Sequence, residues 1–268
     1  MKKNKIESLI EIAIDAGDSI MKIYDTDFYH EKKQDNSPLT IADLRSNEII
    51  CNSLKSLTPE IPILSEENSY VPFKERCLWN EYWLIDPLDG TKEFIKKNGE
   101  FTVNIALIRN NEPVFGVINA PALGQTFWGC EDHGSFMISG TNEPQKLSTS
   151  SEVGTPIRIV SSRSHKSKKL LEFLNKLDVY SEASLGSSLK LCLIASGQAD
   201  LYPRFGKTAE WDIAAGHAII KFAGGHIIDM TGNDMKYNLK KDLINPNFFA
   251  ACKFSLAKRM VKEAKLFN

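Results

Sequence analysis

Apolar residues return at helical spacing from the start of the chain. Ile6, Leu9, Ile10, Ala13, Gly17, Ile20, Met21 and Tyr24 fall on one face, so the spacing predicts an opening amphipathic helix. Asp35-Asn36-Ser37-Pro38 reads as a turn, and from Thr40 a second helical pattern runs to about Leu57. Tyr82-Trp83-Leu84-Ile85 is a short apolar run that fits a buried strand ending at Asp86, with Pro87 and Gly90 as breakers. Asn98-Gly99 suits a tight hairpin turn ahead of the alternating Phe101, Val103, Ile105 and Leu107, and Val114 to Ile118 predicts the next strand.

From Gly140 to Pro156 the chain turns polar and carries two prolines and two glycines, which places a junction between halves there. The division expected is residues 1–150, an N-terminal α+β half, and 151–268, a C-terminal α/β half. Past the junction the order is strand Ile157 to Val160, helix Lys168 to Leu177, helix Ser187 to Ala195, strand Ala199 to Tyr202, helix Asp212 to Phe222 and strand His226 to Ile228. Two helices followed by a run of strands, then strands alternating with helices, predict a mixed α/β fold of layered sheets and helices.

Composition narrows the class. In 268 residues, 42% are hydrophobic and 25% charged, which excludes a disordered or fibrous chain. Lys and Arg number 33 against 34 Asp and Glu, a net charge of -1, so an electrostatic nucleic-acid binder is excluded. Glu7, Glu11 and Asp15 interrupt the first apolar pattern, unlike a signal peptide, and no apolar run approaches the ~20 residues of a membrane span. Cys51, Cys77, Cys130, Cys192 and Cys252 are odd in number and widely spaced, which fits buried thiols in a reducing cytoplasm. No basic amphipathic anchor marks attachment to the inner membrane face, and a loose association there stays open.

The informative residues are carboxylates set where strands and helices end. Glu66-Glu67 follows the apolar Ile61-Pro62-Ile63-Leu64, Asp86-Pro87-Leu88-Asp89-Gly90-Thr91 follows the Tyr82 to Ile85 run, and Asp212 opens a helix. Proline fixes φ between Asp86 and Asp89 and glycine permits a reversal, so both carboxylates can point into one small volume. Like charges that close repel unless a cation lies between them. A site of hard oxygens without paired histidines or cysteines selects magnesium, manganese or calcium over zinc. Asp89-Gly90 alone would be an ordinary turn; the whole string with Glu66-Glu67 upstream points to a metal site. The spacing fits neither an EF-hand loop nor a P-loop: Gly206-Lys207-Thr208 would need a glycine where Leu201 stands.

Glu66-Glu67, Asp86 to Thr91 and Trp211-Asp212 resemble, in order, the three signatures of the lithium-sensitive, magnesium-dependent phosphatase superfamily of the inositol monophosphatases. Asp86 to Leu107, Ser161 to His165, Gly186 to Lys190, Tyr202-Pro203-Arg204 and Trp211 to His217 are similar to its bacterial CysQ-type 3'(2'),5'-bisphosphate nucleotidases. The resemblance implies a layered αβαβα fold. It gives one magnesium to Glu66, Asp86 and the Leu88 carbonyl and a second to Asp86, Asp89 and Asp212, with a third, weaker ion near Asp43. Asp43 reads equally well as an exposed acid in the first turn of a helix. In the reaction the resemblance implies, Glu66 and Thr91 orient a water that attacks phosphorus, and no side-chain nucleophile is used.

Substrate residues are expected in the second half, with Gly90 and Thr91 offering amides to the phosphate. Ser187 and Ser188 at a helix start suit an anion, Lys190 and Arg204 suit a second phosphate, and His165 borders the nucleoside by resemblance. Asp212 is expected to touch the substrate as well. Lone Lys, Arg or His residues are more often solvated or structural, and only the family-like strings move these into the site. Tyr202 and Phe205 suit either adenine stacking or core, and His217 reads as packing.

The function implied is magnesium-dependent hydrolysis of the 3'-phosphate of adenosine 3',5'-bisphosphate to AMP and phosphate, in support of sulfate assimilation. An inositol- or sugar-monophosphate phosphatase of the same superfamily is the alternative among enzymes, and a catalytically silent binding module the alternative outside them. The only partner expected is the small nucleotide; monomer and homodimer both stay open.

Overall fold

In a computed structural model the described residues are 1–26, 38–68, 70–164, 166–177 and 179–265. The turn read at 35–37 and His165 lie outside them. The elements are α1 (Lys3–Tyr24), α2 (Pro38–Leu57), β1 (Ile63–Ser65), α3 (Phe73–Arg76), β2 (Glu81–Asp89), α4 (Thr91–Ile95), β3 (Thr102–Arg109), β4 (Glu112–Ala120), β5 (Gln125–Cys130), β6 (Gly134–Ser139) and β7 (Gln145–Leu147). There follow β8 (Ile157–Ser162), α5 (Lys168–Leu174), β9 (Tyr180–Leu185), α6 (Leu189–Ala195), β10 (Leu201–Arg204), α7 (Glu210–Phe222), β11 (His226–Asp229), β12 (Phe248–Ala251) and α8 (Phe254–Lys265). Among the described residues no helix is long and apolar enough to cross a membrane.

Strands β1 to β7 form one sheet in sequence order, antiparallel except for the parallel β1–β2 pair. A second sheet has the order β11-β12-β10-β8-β9 and mixes parallel with antiparallel pairs. Three apolar clusters stack these sheets with the helices. One joins α1 and α2 to the first sheet through Leu9, Ala13, Ile20, Trp83, Phe101 and Phe115. A second fills the space between the sheets around α6 and α7, and a third joins the second sheet to α5 and α8 through Leu170, Phe173, Phe249, Leu256 and Met260. The order of layers is therefore αβαβα, as the resemblance implied.

Small residues set the spacing of the middle layer. A Cβ on Gly116 would come within 2.4 Å of the Ala215 carbonyl oxygen, and one on Gly129 within 2.8 Å of the Ile219 Cα. Helix α7 thus lies directly on β4 and β5, a closeness that only glycine permits. This seating fixes the end of α7 that carries Asp212.

The structure corrects several boundaries. The strand expected to stop at Asp86 continues to Asp89, because a register irregularity between Asp86 and Asp89 takes Pro87 and Leu88 out of the β3 ladder. Asn98-Gly99 connects α4 to β3 rather than two strands of a hairpin; β2 and β3 pair with α4 inserted between them. The helix read to Leu177 ends at Leu174, and the strand read at Ala199 begins at Leu201. Of the cysteines read as buried, Cys130, Cys192 and Cys252 are, whereas Cys51 is half-buried and Cys77 is exposed in the turn after α3.

Candidate active site

The acidic residues converge at the ends of elements that the packing holds rigid. Strand β1 is parallel to β2, with Ser65 opposite Ile85, so the residues that leave both strands emerge on the same side. Glu66 starts the 3-10 turn after β1, and Asp86 and Asp89 flank the irregular end of β2. Helix α2 braces this end: Ser46 Oγ donates to the Pro87 carbonyl at 2.8 Å and Ser65 Oγ to Asn47 Oδ1 at 2.7 Å. Asp212 arrives from the other side in the first turn of α7, where its Oδ2 accepts the Ala209 N–H at 2.9 Å.

The electrostatics follow from this meeting. Asp86 is 1% exposed, and its carboxyl is pushed far above the usual range by burial, then by Asp89, Glu66, Asp212 and Asp43. Burial and then Asp89 raise Asp212 to about 7. Asp89 is raised by burial against the opposing pull of Lys190, and Glu66 by burial of its carboxyl and the charge of Asp89 although the residue as a whole is exposed. Asp43 lies in the same field: burial, then Glu67 and Glu66, lift it to about 8. It is half-buried with Oδ1 lacking a hydrogen bond, which departs from an exposed first-turn acid.

Among the described residues no three His, Cys, Asp or Glu groups already close into a coordination cage. Part of the carboxylate oxygen is turned to local donors instead: Asp86 Oδ1 accepts Leu88 N–H at 3.1 Å, as Asp212 does Ala209 N–H. The donor set nevertheless fits magnesium. It consists of hard oxygens whose mutual repulsion a divalent cation relieves.

Beside the acids runs a cleft of about 250 Å³, lined among others by Asp89, Gly90, Thr91, Ser187, Lys190 and Arg204. Gly90 caps α4 with φ of 91°, and a Cβ there would come within 2.9 Å of the Glu100 carbonyl oxygen, so glycine is needed both for conformation and for space. The amides of Gly90 and Thr91 sit at the start of α4, where Thr91 is exposed to the cleft. Ser188 lines the cleft, but its Oγ donates to Asn104 Oδ1 at 2.7 Å and meets Thr102 Oγ1 at 2.8 Å, whereas the Ser187 hydroxyl is buried without a hydrogen bond.

Lys190 is 5% exposed rather than a surface charge; burial lowers it to about 8, and its amine bonds the Leu185 and Ser187 carbonyls and stands 5.5 Å over the Tyr202 ring. Arg204 donates through Nη2 to the Lys207 carbonyl at 2.8 Å, and its buried Nε has no partner. Phe205 belongs to the core against Phe173 and Phe249, while Tyr202 packs on Phe248 and also lines the cleft. His217 is buried and bonded to the Tyr237 hydroxyl at 2.9 Å, a packing role.

Polar cleft residues not singled out from the sequence include Lys92, Glu93, Ser162, Lys207 and Thr208. Asn104, which anchors Ser188, was also missed. Most lie inside strings quoted above, but nothing in spacing alone separates Glu93 or Asn104 from their neighbours.

Known proteins fall in line with this arrangement. Residues 2–265 match the family model of the inositol monophosphatase family. The chain is 45% identical over 245 residues to the 3'(2'),5'-bisphosphate nucleotidase CysQ of Salmonella typhimurium, covering 91% of this chain and 98% of the relative. The CysQ of Buchnera aphidicola is 42% identical over 253 residues, covering 93% and 94%. The crystal structure of CysQ from Bacteroides thetaiotaomicron superposes with a TM-score of 0.85 at 37% identity, covering 94% of this chain and 98% of the other. With residues 2–265 matched by the family model, the chain belongs to the inositol monophosphatase family.

Proposed function

We propose that this protein is a magnesium-dependent 3'(2'),5'-bisphosphate nucleotidase that hydrolyses the 3'-phosphate of adenosine 3',5'-bisphosphate to AMP and phosphate, clearing the by-product of sulfuryl transfer in sulfate assimilation. The observation that carries this reading is the 45% identity over nearly the full length of both chains to a nucleotidase of that name. The neighbouring acids beside a cleft with buried Lys190 and half-buried Arg204 support it.

Glu66, Asp86, Asp89, Asp212 and the Leu88 carbonyl would hold two magnesium ions, with Asp43 beside a third. Bound magnesium neutralises the phosphate dianion and acidifies water at neutral pH. The chain does the rest. Gly90 and Thr91 amides hold phosphate oxygens at the start of α4, and the Thr91 hydroxyl with Glu66 orients the attacking water along the line of the breaking P–O bond. Water supplies the proton for the departing ribose oxygen. Lys190 and Arg204, with Ser187 and Ser188, receive the second phosphate, and a positive group held in a low-dielectric wall binds a dianion more tightly than one in open solvent. The same reading puts His165 beside the nucleoside and the protein in the cytoplasm, where the five free thiols are at home.

The test is turnover of adenosine 3',5'-bisphosphate against inositol 1-phosphate, with magnesium and with chelator. A higher kcat/KM for the nucleotide, abolished by chelator, is expected. Preference for the inositol ester overturns the reading in favour of an inositol phosphatase.

A further inference from the structure

The cleft wall opposite the acids is fastened by a set of bonds that spans the two sheets. Arg163, just after β8, grips Glu100, just before β3, with both arms of its guanidinium: Nε to Oε2 at 2.7 Å and Nη2 to Oε1 at 2.6 Å. The same Nη2 reaches the Ser184 carbonyl at 2.8 Å, and Glu100 Oε2 accepts the Gly186 N–H at 2.8 Å. Next to it, Ser164 Oγ donates to Glu93 Oε1, a buried carboxylate of α4. Glu93, Ser162 and Gly186 line the cleft, whereas Arg163 and Glu100 stand behind it.

Geometry adds a second reason to single out Glu100. A Cβ on Gly186 would come within 2.6 Å of Glu93 Cγ and 2.7 Å of the Glu100 carbonyl oxygen, and one on Gly90 within 2.9 Å of that same oxygen. Glu100 is thus wedged between the turn that presents the Gly90 and Thr91 amides and the turn that presents Ser187 and Ser188. Its side chain, with Arg163, ties the Gly186 turn to the loop that follows β8, while its backbone carbonyl, which a side-chain substitution leaves in place, abuts Gly90. A fork-to-fork pair of this kind holds direction as well as distance. The Arg163 side chain is 44% exposed and that of Glu100 13%, so as a stabilising contact alone the pair would matter little.

We propose that the Glu100–Arg163 pair, with the Ser164–Glu93 hydrogen bond, is a positioning device that locks the cleft wall of Ser162, Glu93 and Gly186 and so sets how tightly the organic part of the substrate is seated. This rests on the phosphatase reading for the reaction; the device reaches the metal-side acids only through the charge of Glu93 on Asp89, which the Arg163 and Glu100 variants leave in place. The device acts on the wall, and the acids at the ends of β1, β2 and α7 take no bond from it.

The experiment compares two esters in each variant: adenosine 3',5'-bisphosphate, which reaches the wall, and glycerol 2-phosphate, which has little beyond the reacting phosphate. Arg163→Met is expected to raise KM for the nucleotide about tenfold, with kcat within about threefold and KM for the small ester unchanged. Glu100→Gln, which keeps an acceptor for Gly186, raises KM in the same way, and the double variant is no worse than Arg163→Met alone because both remove one interaction. Arg163→Lys and Ser164→Ala are milder versions that serve if the first variant does not fold. Equal losses on both esters, additive effects of the two substitutions, or an unchanged nucleotide KM overturn the proposal. Should the wild type prefer inositol 1-phosphate, the nucleotidase reading fails by that result alone. The wall is then judged by the same ratio with inositol 1-phosphate in place of the nucleotide.

Discussion

Asp86 and Asp200 are the same residue type at nearly the same burial, 1% and 0% exposed, yet their surroundings push them in opposite directions. Asp200, ahead of β10, is gripped by Arg158 of β8 through Nε at 3.0 Å and Nη2 at 2.6 Å, and it accepts the Arg158 N–H at 2.9 Å. Burial presses its carboxyl upward, but the Arg158 hydrogen bonds outweigh that and hold it below the usual range. Asp86 meets other acids, and burial with their charges drives it far up. A carboxylate that serves structure brings its counter-charge in the chain. One that lacks it beside four further acids has the surroundings that the proposed cation would neutralise.

The most severe break of this contrast is Asp86→Asn. Loss of phosphate release on the order of 10³-fold or more is expected, with a native circular dichroism spectrum, because a like charge and not a structural partner is removed. Retained turnover would eliminate the two-ion scheme. Next in size is the response to magnesium itself. Wild type should gain several degrees of thermal midpoint when the ion is added after chelation, and Asp86→Asn should gain much less; equal gains in both would place the ion elsewhere.

Asp200→Asn sharpens the other side of the contrast. It leaves Arg158 without its counter-charge though still bonded to the Gly197 carbonyl and Ser150. Since that side chain is 40% exposed the expected loss is only about 1–3 kcal/mol, read by denaturant melts, with kcat unchanged. A fall in kcat without loss of stability would undo the distinction between the two aspartates.

The smallest effect concerns pH. Asp212 rises from 3.8 to about 7, so between those values the folded state binds more protons than the unfolded one. By linkage, stability in chelator declines as pH rises through that window, and above it the loss is complete. Asp200, held low, works the opposite way and withdraws its contribution only as pH falls through the acid range. Thermal midpoints in chelator should therefore drift down by a few degrees from pH 5 to pH 7.5, at roughly 2–4 °C per kcal/mol for a chain of this size. The slope should flatten in Asp212→Asn; an unaltered slope in that variant would deny the raised value.

The long helices were legible because their apolar spacing is sustained over several turns, as in α1 from Ile6 to Tyr24. Strand β9 was not: Tyr-Ser-Glu-Ala-Ser-Leu has no apolar run, since this edge strand pairs only with β8 and is largely open to water. Helix α8 carries Leu256, Ala257, Met260, Val261 and Ala264 at helical spacing, but Lys258, Arg259, Lys262, Glu263 and Lys265 are interleaved with them and the apolar face has meaning only against the second sheet. Pro87 looked like the end of a strand, and tertiary pairing carried β2 past it by leaving two residues out of the ladder.

The sequence by itself determined the acids, their rigid settings at Pro87 and Gly90, and the absence of cations adjacent to them in the chain, because such chemistry is written in residue type and short spacing. Only the tertiary structure decided that Asp212, far along the chain, shares a field with Asp86, that Lys190 is buried, that Ser188 is held by Asn104, and that Arg163 clasps Glu100. Those facts depend on which layers stack and how closely glycines let α7 approach the first sheet. No local pattern encodes them, since each is a contact between segments that propensity treats as independent.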